Sequence, residues 1–191
     1  MTVKKQDVLL VGVGGQGIIL ASDILGEVAI AAGYDVKKTD TIGMAQRGGS
    51  VVSHVRIASR VWSPLIKEGD VDILVAFEKL EASRWATYLK SDGLAIINNH
   101  AIPPLSVSLG TNLYPSNQEV ADILRQRTDK IYFIYGTAHA KELGDIRTLN
   151  ILLLGYISSL LPIKLEIWQD CISKTLPPKI LDINFRAFEQ G

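Results

Sequence analysis

The stretch VLLVGVGGQGIIL, residues 8–20, decides the fold. Val8 to Val13 is an apolar run broken only by Gly12, which predicts a strand covered on both faces. After Gly17, apolar residues recur at Ile18, Ala21, Leu25, Val28, Ala29 and Ala32, the spacing of a helix, and Gly33 stands where a helix C-terminal cap belongs. YDVKK then predicts a short second strand. Gly12, Gly14 and Gly17 match G-x-G-x-x-G between that first strand and helix, with Gly15 and Gln16 inside the turn. Glycines let backbone approach an anion, and a helix N-terminus presents free N–H groups to it. The same glycines also suit a tight turn that binds nothing.

Further along, SVVSHVRIA (50–58) alternates. Val51, Val55 and Ile57 share one face and Ser50, His54 and Arg56 the other, which predicts a half-exposed strand with RVWSP (60–64) as its hairpin arm. Ile73–Phe77 predicts a strand, about 79–90 a helix, and LAIIN (94–98) another strand. Residues 102–116 carry three prolines and predict an irregular connection. A helix around 118–127 leads to the strand IYFIY, and from Thr137 the pattern is helical, with breaks at Gly144, Pro162 and Pro177–Pro178. Alternating strands and helices predict one α/β domain over 1–191, a Rossmann-like three-layer sandwich with a mixed, mainly parallel sheet and a helical C-terminal region. No Gly/Pro/Ser-rich linker divides it.

Composition excludes several functions. Twenty basic residues balance twenty acidic ones, so there is no basic footprint for nucleic acid. The longest apolar segment, LNILLLGYISSLLPI, is shorter than the roughly 20 residues that span a bilayer and predicts a buried helix. A soluble, cytoplasmic protein with no membrane partner is expected. Cys171 stands alone and can complete neither a zinc site nor an iron–sulfur cluster.

The glycine loop admits several readings. A nucleotide-binding NAD(P) module wants an acid about 20 residues on, at the end of the second strand, to hold the ribose. Here that strand reads VKKTD, with Lys37 and Lys38 before Asp40. A Walker A loop needs Gly-Lys-Ser/Thr, and Gln16–Gly17–Ile18 has neither. A tubulin-like GTPase needs a second phosphate loop, and ubiquitin-type activating enzymes mostly carry a cysteine set.

TIGMAQRGGSVVSHVRI (41–57) adds a second constellation. Arg47 is a planar cation suited to carboxylate or phosphate, and Gly48 and Gly49 allow close approach at a strand entry. Its alternative is structural: Arg47 and Arg56 paired with acids such as Glu78 and Glu81, and His54 on the surface. Glu78 ends a strand, where it either binds substrate or locks Arg47, and Asn98 ends another, where capping is its expected job.

VGVGGQG, GMAQRGGSVVSHVRI, AFEKLEASR and NFRAF, in that order, resemble the gamma subunit or domain of 2-oxoacid:ferredoxin oxidoreductases, and within that family the beta subunit of the indolepyruvate branch. The resemblance spans essentially the whole chain. Much of the family continues VRIG where this chain has Ala58, a departure expected to alter one turn. The resemblance implies a non-autonomous enzyme subunit in the oxidative decarboxylation of a 2-oxoacid to an acyl-CoA. It places thiamine diphosphate, magnesium and iron–sulfur clusters on a larger partner subunit that passes electrons to ferredoxin. No cofactor is held by this chain alone. Coenzyme A is the candidate anion at a shared site formed by Gly12, Gly14, Gly15, Gln16, Gly17, Arg47, Gly48 and Gly49.

Overall fold

The computed structural model describes residues 5–43 and 48–191. In chain order the elements are β1 (Gln6–Val13), α1 (Ile18–Ala31), β2 (Asp35–Ile42), β3 (Ser50–Ala58), β4 (Val71–Ala76), α2 (Lys79–Arg84), β5 (Leu89–Asn98), α3 (Leu105–Ser108), α4 (Asn117–Arg125), β6 (Ile131–Ile134), α5 (Gly136–Glu142), α6 (Leu149–Ser158), α7 (Leu165–Thr175) and α8 (Leu181–Gln190). They form three layers around one six-stranded sheet of order β2-β3-β1-β4-β5-β6.

β1 is central, and period two explains its composition. Val8 and Leu10 pack with α1 and the C-terminal helices, while Leu9 and Val11 pack with α2 and α4. All four are fully buried. β1, β4, β5 and β6 run parallel. β3 is antiparallel to β1 on one side and to β2 on the other.

Helix α1 ends as the sequence predicts. Gly33 adopts a positive φ of 88°, its N–H donates to Ile30 O (2.9 Å), and Tyr34 N–H donates to Ala29 O (3.0 Å). Helix α4 opens with a capping box between Ser116 and Glu119. Among the C-terminal helices, α6 and α8 pack nearly backbone to backbone. A Cβ on Gly155 would come within 2.2 Å of Phe188 O, so only glycine fits there.

Several expectations are corrected. Residues 50–58 are an interior strand: Ser53 and His54 are buried, because β2 covers the edge that a half-exposed strand would leave open. The hairpin partner of β3 is β2, and residues 60–64 are a loop without strand structure. The helix expected over 79–90 stops at Arg84; a short 3-10 turn at Ala86–Tyr88 follows, and β5 begins at Leu89. Arg56 pairs not with Glu78 or Glu81 but with buried Asp7, its cross-strand neighbour, through Nε–Oδ1 (3.0 Å) and Nη2–Oδ2 (3.2 Å).

His54 is not a surface histidine. Its Nδ1 accepts from Ile66 N–H (3.3 Å), and its ring meets Trp85 and Tyr88 edge-on at 6.3 and 6.0 Å. Burial, and then the Arg56 charge, hold its pKa below the ordinary 6.5, against a smaller opposing pull from Asp40. A histidine whose folded pKa is depressed contributes stability that is present above its unfolded pKa and lost as pH falls through the folded value. Urea midpoints should therefore drop between pH 7 and pH 5, and His54→Gln should flatten that drop. An unchanged slope in the variant would remove His54 as its source.

Candidate functional site

The carboxyl ends of β1, β4, β5 and β6 open on one side of the sheet, and the glycine loop lies there. Gln16 organises it from behind. Its Oε1 accepts from Val13 N–H (2.8 Å), and its Nε2 donates to Phe77 O (2.9 Å) just beyond β4. Gly12 makes this possible, because a Cβ there would stand 2.8 Å from both Gln16 Oε1 and Phe77 Cβ. Gly12 and Gln16 thus hold the loop in place, and the side-chain amide of Gln16 is committed to the protein.

Gly15 has φ 104° and is exposed, with open space where a side chain would begin. Gly17 is the N-cap of α1 at φ 78°, and a Cβ there would stand 2.8 Å from Asn150 Nδ2. No side chain caps α1 and no acid lies in its first turn. Among the described residues the N–H groups of Ile18, Ile19 and Leu20 have no acceptor, which leaves the positive end of a 14-residue helix free.

The second constellation meets the first. Gly14 N–H donates to Gly49 O (2.8 Å), so the tip of the β2–β3 hairpin is fastened to the loop, and Gly48 takes φ 80° to turn into it. Arg47 lies outside the described residues. Two hollows flank the loop. One, of about 550 Å³, is bordered by Gly14, Gly15, Gly17, Ile18, Ile42 and Val51 among others. The other, of about 340 Å³, reaches from Gly15–Gly17 to His100, Ile102, Thr137, Arg147 and Asn150. A separate apolar groove of about 490 Å³ runs along β6 and has no charged residue in its lining.

Electrostatics at the 340 Å³ hollow are mixed. Burial, with Lys141 and Lys79 against the pull of Glu78, lowers the pKa of His100, which favours neutral imidazole. Arg147 is paired with Asp145 through Nη2–Oδ2 (2.6 Å) and Nε–Oδ1 (2.9 Å). The expected pairing of Glu78 with Arg47 lies outside the described residues, and Glu78 does not line the hollow. It accepts from Glu81 N–H (3.0 Å), Ile102 N–H (3.0 Å) and the Tyr114 hydroxyl, tying the 99–116 connection to the start of α2. Burial and that carboxylate push the Tyr114 phenol up, so it stays a donor.

Asn98 caps, as expected, but across to another element. Its Oδ1 accepts from Thr137 N–H (3.1 Å) in the first turn of α5, and its Nδ2 donates to Thr137 Oγ1 (2.8 Å) and Phe77 O (3.0 Å). Sequence reasoning passed over Asn150. Its signal was there: it is the one side-chain amide in the otherwise apolar helix LNILLLGYIS.

The model of the pyruvate ferredoxin/flavodoxin oxidoreductase family matches residues 7–191. The chain belongs to that family. The indolepyruvate oxidoreductase subunit IorB of Thermococcus kodakarensis is 38% identical over 192 residues, covering 99% of this chain and 95% of that protein. The subunit of the same name from Archaeoglobus fulgidus is 39% identical over 189 residues, covering 97% and 92%. The gamma subunit of a keto/oxoacid ferredoxin oxidoreductase from Geobacter sulfurreducens superposes with a TM-score of 0.70 at 24% identity, covering 97% of this chain and 95% of that one. A 2-oxoglutarate:ferredoxin oxidoreductase from Magnetococcus marinus, solved with 2-oxoglutarate, coenzyme A and succinyl-CoA bound, gives a TM-score of 0.76 at 22% identity. It covers 98% of this chain and 30% of that longer one. These likenesses confirm the family resemblance and the mixed α/β fold, and they do not favour a dehydrogenase-type NAD(P) module.

Two substitutions test the loop. Gln16→Ala leaves Val13 N–H and one lone pair of Phe77 O unmet and should cost about 1–3 kcal/mol. Gly17→Ala forces a left-handed alanine against Asn150 and should cost at least about 1–2 kcal/mol. Urea denaturation measures both; losses below about 0.5 kcal/mol would contradict the roles given to these residues.

Proposed function

We infer that this chain is the accessory subunit of a thiamine-diphosphate-dependent indolepyruvate (arylpyruvate):ferredoxin oxidoreductase. The observation that carries the reading is 34–39% identity, over nearly the full length, to indolepyruvate oxidoreductase subunits of four archaea. Relatives serving pyruvate/ketoisovalerate and 2-oxoglutarate enzymes are 26% identical. The complete enzyme oxidatively decarboxylates the 2-oxoacid, and coenzyme A supplies the thiol that takes the acyl group.

The residues of this chain fit part of that chemistry. Cys171 sits in the hydrophobic core, where burial raises its pKa, so it suits neither a cluster ligand nor a thiolate. Among the described residues no group of three His, Cys, Asp or Glu is placed to hold a metal ion. On the family reading, thiamine diphosphate, magnesium and the iron–sulfur clusters belong to the larger partner subunit, and ferredoxin is reached through that partner.

What this chain offers is a wall with donors. The free N–H groups at the start of α1, with Gly14, Gly15 and Gly17 around them, suit a phosphate of coenzyme A. Gly12 and Gln16 hold that backbone in position, and Gly49, bonded to Gly14, brings the end of the β2–β3 connection beside it. His100, whose pKa is lowered chiefly by burial, and the paired, exposed Arg147 bound the far side. A cytoplasmic complex is consistent with the lone cysteine, and no helix among the described residues is long and apolar enough to cross a membrane.

Co-expression with the larger subunit tests the reading. The assembled complex should reduce ferredoxin with indolepyruvate and coenzyme A, with a higher kcat/KM for arylpyruvates than for pyruvate, while this chain alone should be inactive. Turnover by the isolated chain, or thiamine or iron bound to it in stoichiometric amount, would overturn the assignment.

A further inference from the structure

The connection between β5 and α4 has the polarity of an ordinary surface loop reversed. Leu105, Leu109 and Leu113 recur every fourth residue and are 74, 70 and 96% exposed. No Asp, Glu, Lys or Arg occurs from Asn99 to Gln118, where the chain's overall 21% would place about four. Polar groups of the loop are instead used within it. The carbonyl of Ser106 accepts from the N–H (3.0 Å) and the hydroxyl (2.6 Å) of Thr111. Leu109 N–H closes a helical turn onto Leu105 O (2.9 Å), and Gly110 takes φ 74° to bring the chain back.

The base of the loop is pinned. Buried Glu78 accepts from Ile102 N–H (3.0 Å) at one end and from the Tyr114 hydroxyl at the other. That hydroxyl in turn accepts from Leu80 N–H (3.3 Å), and Lys79 lies over the Tyr114 ring and donates to Asn117 Oδ1 (2.8 Å). One carboxylate thus closes the loop at both ends. Leucines held in water on a fixed base give up little freedom when covered, and a charge-free apolar surface has the composition of an interface core.

Three leucines cover well under the roughly 800 Å² per partner that a stable protein–protein contact needs, so alone they do not hold a second copy of this chain. They suit the rim of a larger contact, and such a face adjoins them. Through His100 and Ile102 the same connection borders the hollow beside Gly15–Gly17. We propose that Leu105, Leu109 and Leu113 dock this chain onto an apolar, uncharged surface of the larger, thiamine-bearing subunit, at the edge of the site the two share. The inference rests on the reading of this chain as that enzyme's accessory subunit.

Leu105→Asp and Leu113→Asp, made separately and each combined with the larger subunit, test it. Both positions are exposed, so the isolated variants should keep the wild-type circular dichroism spectrum and urea midpoint. The Kd of the complex should rise at least about tenfold, because the contact would bury a charge without a partner. Leu165→Asp on α7, where the leucine is 51% exposed, is the control and should bind as wild type does. A Kd within twofold of wild type in both loop variants, or an equal loss in the control, would overturn the docking assignment and leave the functional reading standing. Should the variants misfold, hydrogen exchange of the wild-type protein decides: amides of 105–113 should exchange at least tenfold more slowly in the complex, and equal rates end the proposal. A wild-type chain that does not bind the larger subunit at all would sink the functional reading, and this inference with it. Dimerisation of the isolated chain that Leu113→Asp abolishes would give the loop to a second copy and overturn the proposal.

Discussion

The carbonyl oxygen of Phe77 has two lone pairs, and the site depends on how they are filled. Gln16 donates to it from the glycine loop and Asn98 from the end of β5. Since Asn98 also binds the start of α5, one backbone oxygen ties together the carboxyl ends of β1, β4 and β5 and the entry to a helix. Gly12 is the steric condition for this arrangement, because any side chain there would displace Gln16. With Gln16 folded back under the loop, the N–H groups at the start of α1 are left without a protein acceptor among the described residues.

The insertion of β3 between β1 and β2 gives this fold its departure from a dinucleotide-binding unit. The β1–α1–β2 crossover is present, but its strands are two positions apart in the sheet, roughly 10 Å rather than adjacent. The end of β2, where a ribose would be read, is thus moved away from the phosphate turn. Its lysines are engaged elsewhere: Lys38 lies 2.9 Å from Asp40 and also pairs with Asp23. In exchange, the β2–β3 hairpin brings its tip to the loop, and two glycine clusters far apart in sequence become one surface through Gly14 and Gly49.

Much of this was legible in the sequence. The apolar run 8–13, the helical spacing after Gly17 and the cap at Gly33 report local geometry and backbone packing, so periodicity finds them. The β2–β3 hairpin was not legible, because alternation in 50–58 reflects polar residues that are buried and paired rather than exposed. Ser53 bonds Ser22 and Asp40, Arg56 bonds Asp7, and His54 sits among aromatics. A two-residue period cannot distinguish a polar face in water from one satisfied by neighbours. The glycine loop is legible as a possible anion site, while the fixed orientation of Gln16 depends on Phe77, 61 residues away, and carries no local signature.

The central position of β1 also governs the order in which the molecule can form. Both of its neighbours, β3 and β4, are synthesised after it, and β2, the next strand made, does not touch it in the sheet. This buried strand must therefore wait, unpaired, until residues 50–58 have emerged. Such a strand is the segment most exposed to sticking to other chains during synthesis, and early docking of α1 over Val8 and Leu10 is the only local cover at hand.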